Sequence, residues 1–287
     1  MNTSTIIATA LMGALIAPSL QAALPADQEA KIQQAAPEKA PAKPRKARKI
    51  LLFTKCEGFV HSAIPVATEA FTILGKKTGA YSVEVSNDMA VFTPEKLKEF
   101  DAVLFNSTTQ LKFADPKQRE ALMDFVKGGK GIIGIHAASD NFPGWQEAQD
   151  MMGGCFDGHP WTAGGTWAVK IDEPKHPLNA SFEGQGFKIH DEIYQVKGAY
   201  SRATLRVLLS LDMSDPATAN ANAMPQHRAD KDNGISWIRP FGKGRVFYCS
   251  LGHNNEVYWN PAVLKHYLAG IQYALGDFKV NDKPSKP

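Results

Sequence analysis

Short apolar runs and amphipathic stretches alternate along the chain after residue 48. Residues 49–54 (KILLFT) are typical of a buried strand, and residues 62–77 place their apolar side chains on one helical face. Three more strands are predicted in this half, at residues 81–86, 102–105 and 131–135. Asp115-Pro116 begins a second helix, which Gly128-Gly129 ends. This alternation with short connections predicts a parallel sheet that helices cover on both faces.

The second half of the chain is less regular but still contains apolar runs. Strands are predicted at residues 166–171, 204–211, 234–238 and 245–250. A final amphipathic helix is predicted over residues 261–275, and residues 278–287 form a polar tail. The pattern shows no internal repeat. We therefore predict one α/β domain from residue 49 to residue 277.

The composition is that of a globular protein, with 44% hydrophobic and 21% charged residues in a chain of 287. The net charge of +3 is unevenly distributed, because residues 23–49 carry +4 and residues 50–287 carry −1. A nearly neutral domain gives no reason to expect a nucleic-acid partner. Residues 23–48 are rich in Ala, Pro, Lys and Gln, and this composition predicts a flexible linker.

The first 22 residues have the pattern of an export signal. An uncharged apolar run over residues 6–17 is short for a membrane span, and small residues follow at Ala22 and Ala23. We predict a cleaved signal peptide over residues 1–22 and a periplasmic or secreted product without membrane insertion. The three cysteines form no C-x-x-C pair and allow at most one disulfide, which is compatible with export.

Several polar side chains follow the predicted strands directly. In open parallel sheets, ligands bind beyond the carboxyl ends of the strands. Three histidines from distant segments are predicted at this edge, and together they favour a site over isolated structural histidines. The polar residues near this edge are Lys55 and His61 after the first strand, Asn106 after the third, His136 after the fourth, and His253 and Asn254 after the run at 245–250.

Residues 189–194 concentrate an imidazole, two carboxylates and a phenol. If the segment is extended, His190, Glu192 and Tyr194 share one face and Asp191 points to the other. A solvated turn that carries charges is the alternative. Interleaved apolar residues favour a partly buried edge, so we predict a site.

The glycine-rich segment at residues 153–161 ends in His159 and Trp161. It predicts either a loop that covers a substrate, with the indole against a sugar ring, or a plain turn-rich connection. His227 and His266 are predicted at a loop surface and a helix surface. The chain contains no G-x-S-x-G elbow, Walker sequence or dinucleotide fingerprint after a strand. We therefore expect no nucleotide cofactor.

An ordered set of motifs resembles the ThuA-like (trehalose-utilisation) family, whose fold is similar to that of class I glutamine amidotransferases. The motifs cover nearly all of residues 49–277. They are Gly58-Phe59-Val60-His61, Gly134-Ile135-His136-Ala137-Ala138, Gly154-x-Phe156-x-Gly158-His159-Pro160, His176-Pro177, Asp191-Glu192-Ile193-Tyr194, Gly242–Tyr248 and Leu251-Gly252-His253. This resemblance implies a flavodoxin-like three-layer sandwich with a mostly parallel central sheet. It also implies that His136 stands at the turn where amidotransferases carry a nucleophilic cysteine, which disfavours glutaminase activity.

The resemblance implies carbohydrate metabolism, and specifically the processing of 3-keto-glycosides that a partner sugar 3-oxidoreductase produces. We expect a lyase or hydratase with Glu192 as base and His136, His190 and Tyr194 in catalytic roles. His61, His136 and His253 are predicted as the polar floor or as ligands of a divalent metal such as Zn²⁺ or Mn²⁺. The alternative is a non-catalytic sugar-binding or signalling module. The expected substrate contacts are Lys55, Asn106, His159, Trp161, Asp191 and Asn254.

Overall fold

A computed structural model describes residues 24–284 of the chain. The apolar runs form strands in this structure. The strands are β1 (Lys49–Phe53), β2 (Ser82–Ser86), β3 (Ala102–Asn106), β4 (Gly131–Ile135), β5 (Cys155–Phe156), β6 (Thr166–Ile171), β7 (Phe187–His190), β8 (Val196–Lys197), β9 (Arg206–Leu211), β10 (Gly234–Phe241) and β11 (Gly244–Cys249). The helices are α1 (Ala26–Ala35), α2 (Ile64–Thr78), α3 (Pro94–Leu97), α4 (Pro116–Lys127), α5 (Gln146–Met152), α6 (Pro216–Ala219) and α7 (Pro261–Ala274). Short 3₁₀ turns lie at Met89–Val91, His136–Asp140, Pro177–Phe182 and Asn255–Trp259.

Nine of these strands form one mixed sheet in the order β2-β1-β3-β4-β11-β10-β9-β6-β7, and β5 pairs with β8 separately. The pairings from β2 to β11 are parallel, and those from β11 to β7 are antiparallel. Strands β10 and β6 therefore run opposite to the other seven. The predicted mostly parallel sheet is confirmed. The carboxyl ends of β1, β3, β4, β11 and β7 all point toward the same edge.

Helices cover the sheet on both faces. Ile50 and Leu52 of β1 enter an apolar layer that α2 and α7 share, while Leu51 and Phe53 enter a second layer with α4 and α5. Successive side chains of a strand point to opposite faces, so one short apolar run supplies both layers. The predicted three-layer sandwich is confirmed.

The amino-terminal segment differs from the predicted flexible linker. Residues 26–35 form helix α1, and Ile32 on this helix is fully buried. The Lys77 ammonium donates hydrogen bonds to the carbonyls of Gln33 (2.7 Å) and Ala36 (2.9 Å), which fixes the end of α1 against α2. Composition predicted a linker because the segment is poor in apolar residues, but one well-placed isoleucine anchors it.

The segment between α1 and β1 contacts the end of the last helix. The side-chain amide of Gln272 both accepts from the N–H of Ala42 (2.9 Å) and donates to its carbonyl (2.6 Å). The Arg48 guanidinium donates to the Asp277 carboxylate through Nε (2.9 Å) and Nη2 (2.5 Å). Residues 40–48 are therefore held along the domain rather than extended away from it.

The described residues after α7 also contact the domain. The Tyr273 hydroxyl near the end of α7 donates to Asp282 (2.9 Å), so the predicted polar tail lies against the domain over its described part. The predicted signal peptide over residues 1–22 lies outside the described residues. Within residues 24–284, no helix combines the length and apolar character needed to cross a membrane.

Candidate functional site

Four side chains that could bind a metal meet at the carboxyl edge of the sheet. His61 follows β1, His136 follows β4, Glu192 follows β7 and His253 follows β11. Each offers one nitrogen or oxygen ligand atom, and these atoms all lie within 4.8 Å of one another. The structure thus brings together the three histidines that the strand-end pattern placed at this edge. We call these four residues the His/Glu cluster.

His136 occupies a sharp turn between β4 and the 3₁₀ turn His136–Asp140. Its φ is +48°, a left-handed conformation that non-glycine residues adopt at a cost of about 1 to 3 kcal/mol. The fully buried imidazole donates from Nδ1 to the carbonyl of Ser250 (2.8 Å), which can only accept. Nε2 is therefore the unprotonated nitrogen, and it faces the rest of the cluster. Tyr248 supports the same turn, since its hydroxyl donates to the His136 carbonyl (2.7 Å).

Glu192 contacts three imidazoles. Its Oε1 lies 3.1 Å from Nδ1 of His253 and 3.8 Å from Nε2 of His136, and its Oε2 lies 3.4 Å from Nδ1 of His159. The Glu192 side chain is 10% exposed, whereas His253 and His159 are 24% and 30% exposed. The cluster therefore opens toward solvent on the side of His159 and His253.

Tyr194 lies along the buried side of the cluster. Its hydroxyl lies 3.4 Å from Nε2 of His61, and its ring centroid lies 4.6 Å from that of His136. Burial raises the pKa of Tyr194 far above its usual value, and the neighbouring Glu192 adds to this effect. The phenol therefore stays protonated and can donate a hydrogen bond.

The pKa values of the three histidines in the cluster shift in different directions. Burial lowers the pKa of His61 to about 4, with a smaller contribution from His253, and it lowers the pKa of His136 well below its usual value. The hydrogen bond to Glu192 instead raises the pKa of His253. Near neutral pH, the buried pair is therefore neutral, which is the form in which imidazole binds metal ions.

The donor set fits a divalent cation. Three imidazoles and one carboxylate are ligands that Zn²⁺ and Mn²⁺ share, and the hydrogen bond to Ser250 fixes one imidazole in the metal-binding tautomer. In addition, Nδ1 of His61 is buried without a hydrogen-bond partner, an arrangement that is costly unless another group pairs with it.

Asp191 and Asn254 hold the loop that carries His253. The buried Asp191 carboxylate accepts from the N–H of Gly252 (2.7 Å) and the N–H of Asn254 (2.8 Å). The Asn254 amide donates to the carbonyls of Ala163 (2.9 Å) and His190 (3.2 Å). Both were expected to bind substrate, but the two Asp191 oxygens and the Asn254 N–H₂ group are occupied by backbone groups. Their role in the structure is to position the loop.

Glycine is required next to His253. Gly252 has a φ of +127°, and a Cβ at this position would lie 2.3 Å from the Tyr258 hydroxyl oxygen. Its N–H is also one of the two donors to Asp191. Backbone geometry and the Asp191 carboxylate together fix where the His253 imidazole lies.

His190, which was expected in a catalytic role, and Lys55, which was expected to contact substrate, both have their described contacts outside the His/Glu cluster. Strand β7 ends at His190, so the predicted alternation does not continue to Glu192. The exposed His190 ring contacts the Gly165 carbonyl (2.8 Å) instead. The Lys55 ammonium pairs with Glu57 (3.4 Å) in its own loop.

Trp161 and Asn106 are structural residues, although both were predicted to contact substrate. The Trp161 indole is fully buried and donates to the Thr218 carbonyl (2.9 Å). The Asn106 amide is also buried and donates to the Ile64 carbonyl (3.1 Å) and the Thr68 hydroxyl (3.0 Å). The expected position of Asn106 at a strand end is correct, but its side chain points into α2.

Sequence reasoning missed Ser250 and Tyr248, which orient His136 through the contacts given above. Both lie at the end of β11, immediately before the predicted His253 loop, so the strand-end rule could have included them. The sequence pattern also predicted His266 on a helix surface. The ring is instead fully buried and contacts the Ser236 hydroxyl and the Leu178 carbonyl, both at 2.9 Å.

A surface cleft elsewhere lacks comparable chemistry. It has a volume of about 610 Å³ and lies beside Asp172, Arg202 and Asp232. The Arg202 guanidinium pairs with both carboxylates, at 3.0 Å and 2.7 Å. The lining of this cleft contains no histidine or cysteine, so the His/Glu cluster remains the candidate site.

Comparison with known proteins identifies the family. The sequence profile of ThuA, described as trehalose utilisation, matches residues 49–274. A solved ThuA-like protein from Bacteroides uniformis is 21% identical, with a TM-score of 0.61 over 80% of this chain and 94% of its own. One from Parabacteroides merdae is 18% identical, with a TM-score of 0.58 over 84% of this chain and 95% of its own. These two structures support the fold.

No curated protein matches the chain, so no characterised activity comes from that comparison. The family match extends from β1 to the end of α7 and includes all four residues of the His/Glu cluster. The chain therefore belongs to the ThuA (trehalose utilisation) family.

Proposed function

We propose that this protein is an exported, metal-assisted lyase or hydratase that acts on 3-keto-glycosides. The observation that carries the proposal is the His/Glu cluster at the carboxyl edge of the sheet, whose Glu192 carboxylate contacts His136 and His253 within the cluster and His159 beside it. The family's association with trehalose utilisation supports a carbohydrate substrate. The apolar run over residues 6–17 supports export.

The turn at residue 136 argues against amidotransferase chemistry. An imidazole, and not a thiol, occupies the turn after β4. The thiol that follows a strand at this edge of the sheet is Cys56 after β1, and burial raises its pKa, so it stays protonated. Its Sγ lies 3.5 Å from the Ser107 carbonyl, as a weak donor. A thioester mechanism therefore lacks an activated nucleophile at this turn.

The proposed reaction begins with proton removal. A ketone at C3 of the sugar acidifies the C2 proton, and Glu192 accepts this proton as general base. The C1–O bond then breaks, and the leaving oxygen takes a proton from an acid. A double bond between C1 and C2 remains, conjugated with the ketone. Addition of water across this double bond reverses the same proton transfers and completes a net hydrolysis.

The structure suggests the accompanying roles. His159 lies on the open side beside Glu192 and is the proposed acid for the leaving oxygen. The protonated phenol of Tyr194 is the proposed hydrogen-bond donor to the oxygen that gains negative charge. His61, His136 and His253 would hold a divalent cation, which when bound would act as a Lewis acid on the ketone. A sugar 3-oxidoreductase would supply the substrate, because the ketone arises by oxidation of a secondary alcohol.

The test is turnover of a 3-keto-glucoside by the purified protein, with and without a metal chelator. We expect turnover that the chelator abolishes and that added Zn²⁺ or Mn²⁺ restores. Glu192→Gln removes the base but keeps the side-chain shape, so turnover should fall by about a hundredfold or more. Melting temperatures of both proteins must be measured alongside, because a loss that accompanies unfolding would make Glu192 structural.

Two histidines provide a matched pair of variants. His159→Gln removes an imidazole that contacts Glu192, whereas His190→Gln removes an exposed one that contacts only the Gly165 carbonyl among the hydrogen bonds described. We expect His159→Gln alone to lower turnover, by about tenfold or more. Full activity in Glu192→Gln would contradict the assigned base. Sugar binding without turnover of any 3-keto-glycoside would instead favour a non-catalytic module.

A further inference from the structure

Two exposed apolar side chains lie beside the His/Glu cluster. Phe59 and Val60 are 67% and 68% exposed, and they immediately precede His61. Across residues 24–284, the other exposed large apolar side chains are Val85 (43%) and Met224 (38%), which are less exposed than this pair. Adjacent exposed apolar residues next to a polar site are typical of ligand-binding surfaces.

The backbone of this apolar pair is held in place. The Thr109 hydroxyl donates to the Phe59 carbonyl (2.8 Å), and the N–H of Glu57 donates to the Thr109 carbonyl (2.9 Å). Gly58 packs so closely that an added Cβ would lie 2.7 Å from Cγ of Gln110. Phe59 is therefore exposed on a loop whose backbone is held by hydrogen bonds and close packing.

Phe59 is continuous with the cluster through His61. The two rings meet edge to face, with centroids 4.8 Å apart, and the His61 ring contacts those of His136 and His253. His136 is fully buried, so the cluster is deep on that side and Phe59 extends outward from it. Trp161, the aromatic plane expected from the sequence, is buried and cannot contact a substrate.

We propose that Phe59, with Val60, forms the wall that binds the leaving sugar of a 3-keto-disaccharide. This inference rests on the proposed function, because the reacting C2 must reach Glu192 inside the cluster. The substituent on C1 then extends outward, toward the exposed aromatic ring. The apolar C–H face of a pyranose packs well on an aromatic plane, so the wall favours a ring-shaped leaving group over a small one.

The test compares two substrates, a 3-keto-disaccharide and methyl 3-keto-glucoside, with wild type, Phe59→Ala and Phe59→Tyr. We expect Phe59→Ala to raise KM for the disaccharide about tenfold, equivalent to about 1.4 kcal/mol, and to leave kcat nearly unchanged. KM for the methyl glycoside should change by less than about twofold, since its leaving group is too small to reach the wall. Phe59→Tyr keeps the plane and should behave as wild type.

Val85→Ala is the matched control, because it removes an exposed apolar side chain from the edge strand β2. It should leave both KM values unchanged. Equal losses for both substrates in Phe59→Ala would overturn the proposal, because they would indicate general support of His61.

Calorimetric binding of both substrates separates this proposal from the proposed reaction. If wild type turns over neither compound, the reaction is wrong. The proposed role of Phe59 is still supported if wild type binds the disaccharide about tenfold more tightly than the methyl glycoside and Phe59→Ala abolishes this difference. The proposed role is wrong if wild type binds both compounds equally tightly or binds neither.

Discussion

At the scale of single residues, Asp191 shows how one buried carboxylate can organise a site that it does not enter. Its two oxygens accept from the backbone on both sides of His253. Burial raises the pKa of Asp191 to about 7, although both hydrogen bonds oppose this shift. The position of the His253 imidazole therefore depends on hydrogen bonds from the N–H groups of Gly252 and Asn254 to Asp191. This carboxylate lies 61 and 63 positions earlier in the sequence.

Asp191→Asn is expected to destabilise the protein, because the amide would turn an N–H₂ group toward one of the two backbone donors. The free energy of unfolding should fall by about 1 to 3 kcal/mol, the cost of leaving a buried donor unpaired. Urea denaturation measures this change. Asp88→Asn is the control, since Asp88 accepts a single exposed hydrogen bond from Ala90 that an amide oxygen can replace. An unchanged midpoint in Asp191→Asn would show that the loop does not depend on this carboxylate.

The strand-end rule located His61, His136 and His253, because that inference needs only the order of strands and their direction. It could not tell which side chains at this edge point inward. Asn106 obeys the same rule, yet its amide is taken up by the Ile64 carbonyl of α2. Which partner a polar side chain finds depends on segments far away in sequence, and periodicity carries no information about them.

At the scale of elements, the parallel half of the sheet was predictable and the order of the antiparallel half was not. Alternating strands and helices specify crossover connections, which restrict neighbouring strands to a few arrangements. After β4 the strands follow irregular loops, and pairings such as β6 with β9 join segments that periodicity alone does not relate. Helix α1 was missed for a different reason, since its sequence contains a single fully buried residue, Ile32.

Ile32→Ala tests whether α1 is an integral part of the domain. Removal of a fully buried isoleucine should lower the free energy of unfolding by about 2 to 5 kcal/mol, because a cavity remains beside α2. Gln34→Ala on the exposed side of the same helix should change it by less than about 0.5 kcal/mol. Equal stabilities of the two variants would restore the interpretation of this segment as a linker.

At the scale of the whole molecule, buried neutral histidines make stability depend on pH. Burial lowers the pKa of His266 to about 4, whereas an unfolded histidine titrates near pH 6.5. Between these values the unfolded chain binds the additional proton, so the folded state loses stability as the pH falls through this window. The stabilising effect of a neutral His266 is fully present above about pH 6.5.

His266→Gln should weaken this pH dependence. Between pH 7.5 and pH 5, the His266 contribution to the fall in the free energy of unfolding is about 2 kcal/mol, and the variant should lack it. Urea denaturation at both pH values, with chelator present to exclude metal release, measures the difference. His190→Gln, which removes an exposed ring, should retain the wild-type dependence. The same slope in His266→Gln and wild type would show that this ring does not contribute.

The left-handed backbone of His136 costs folding stability, but the imidazole at this position is needed for the proposed chemistry. Glycine adopts a φ of +48° without steric cost, so a substitution that relaxes this turn would also delete the imidazole. Laboratory evolution scored on melting temperature alone would therefore be drawn toward losing this residue, as stability gains at strained functional positions commonly reduce activity. Any engineering of heat resistance in this protein should hold position 136 fixed and seek its gains elsewhere.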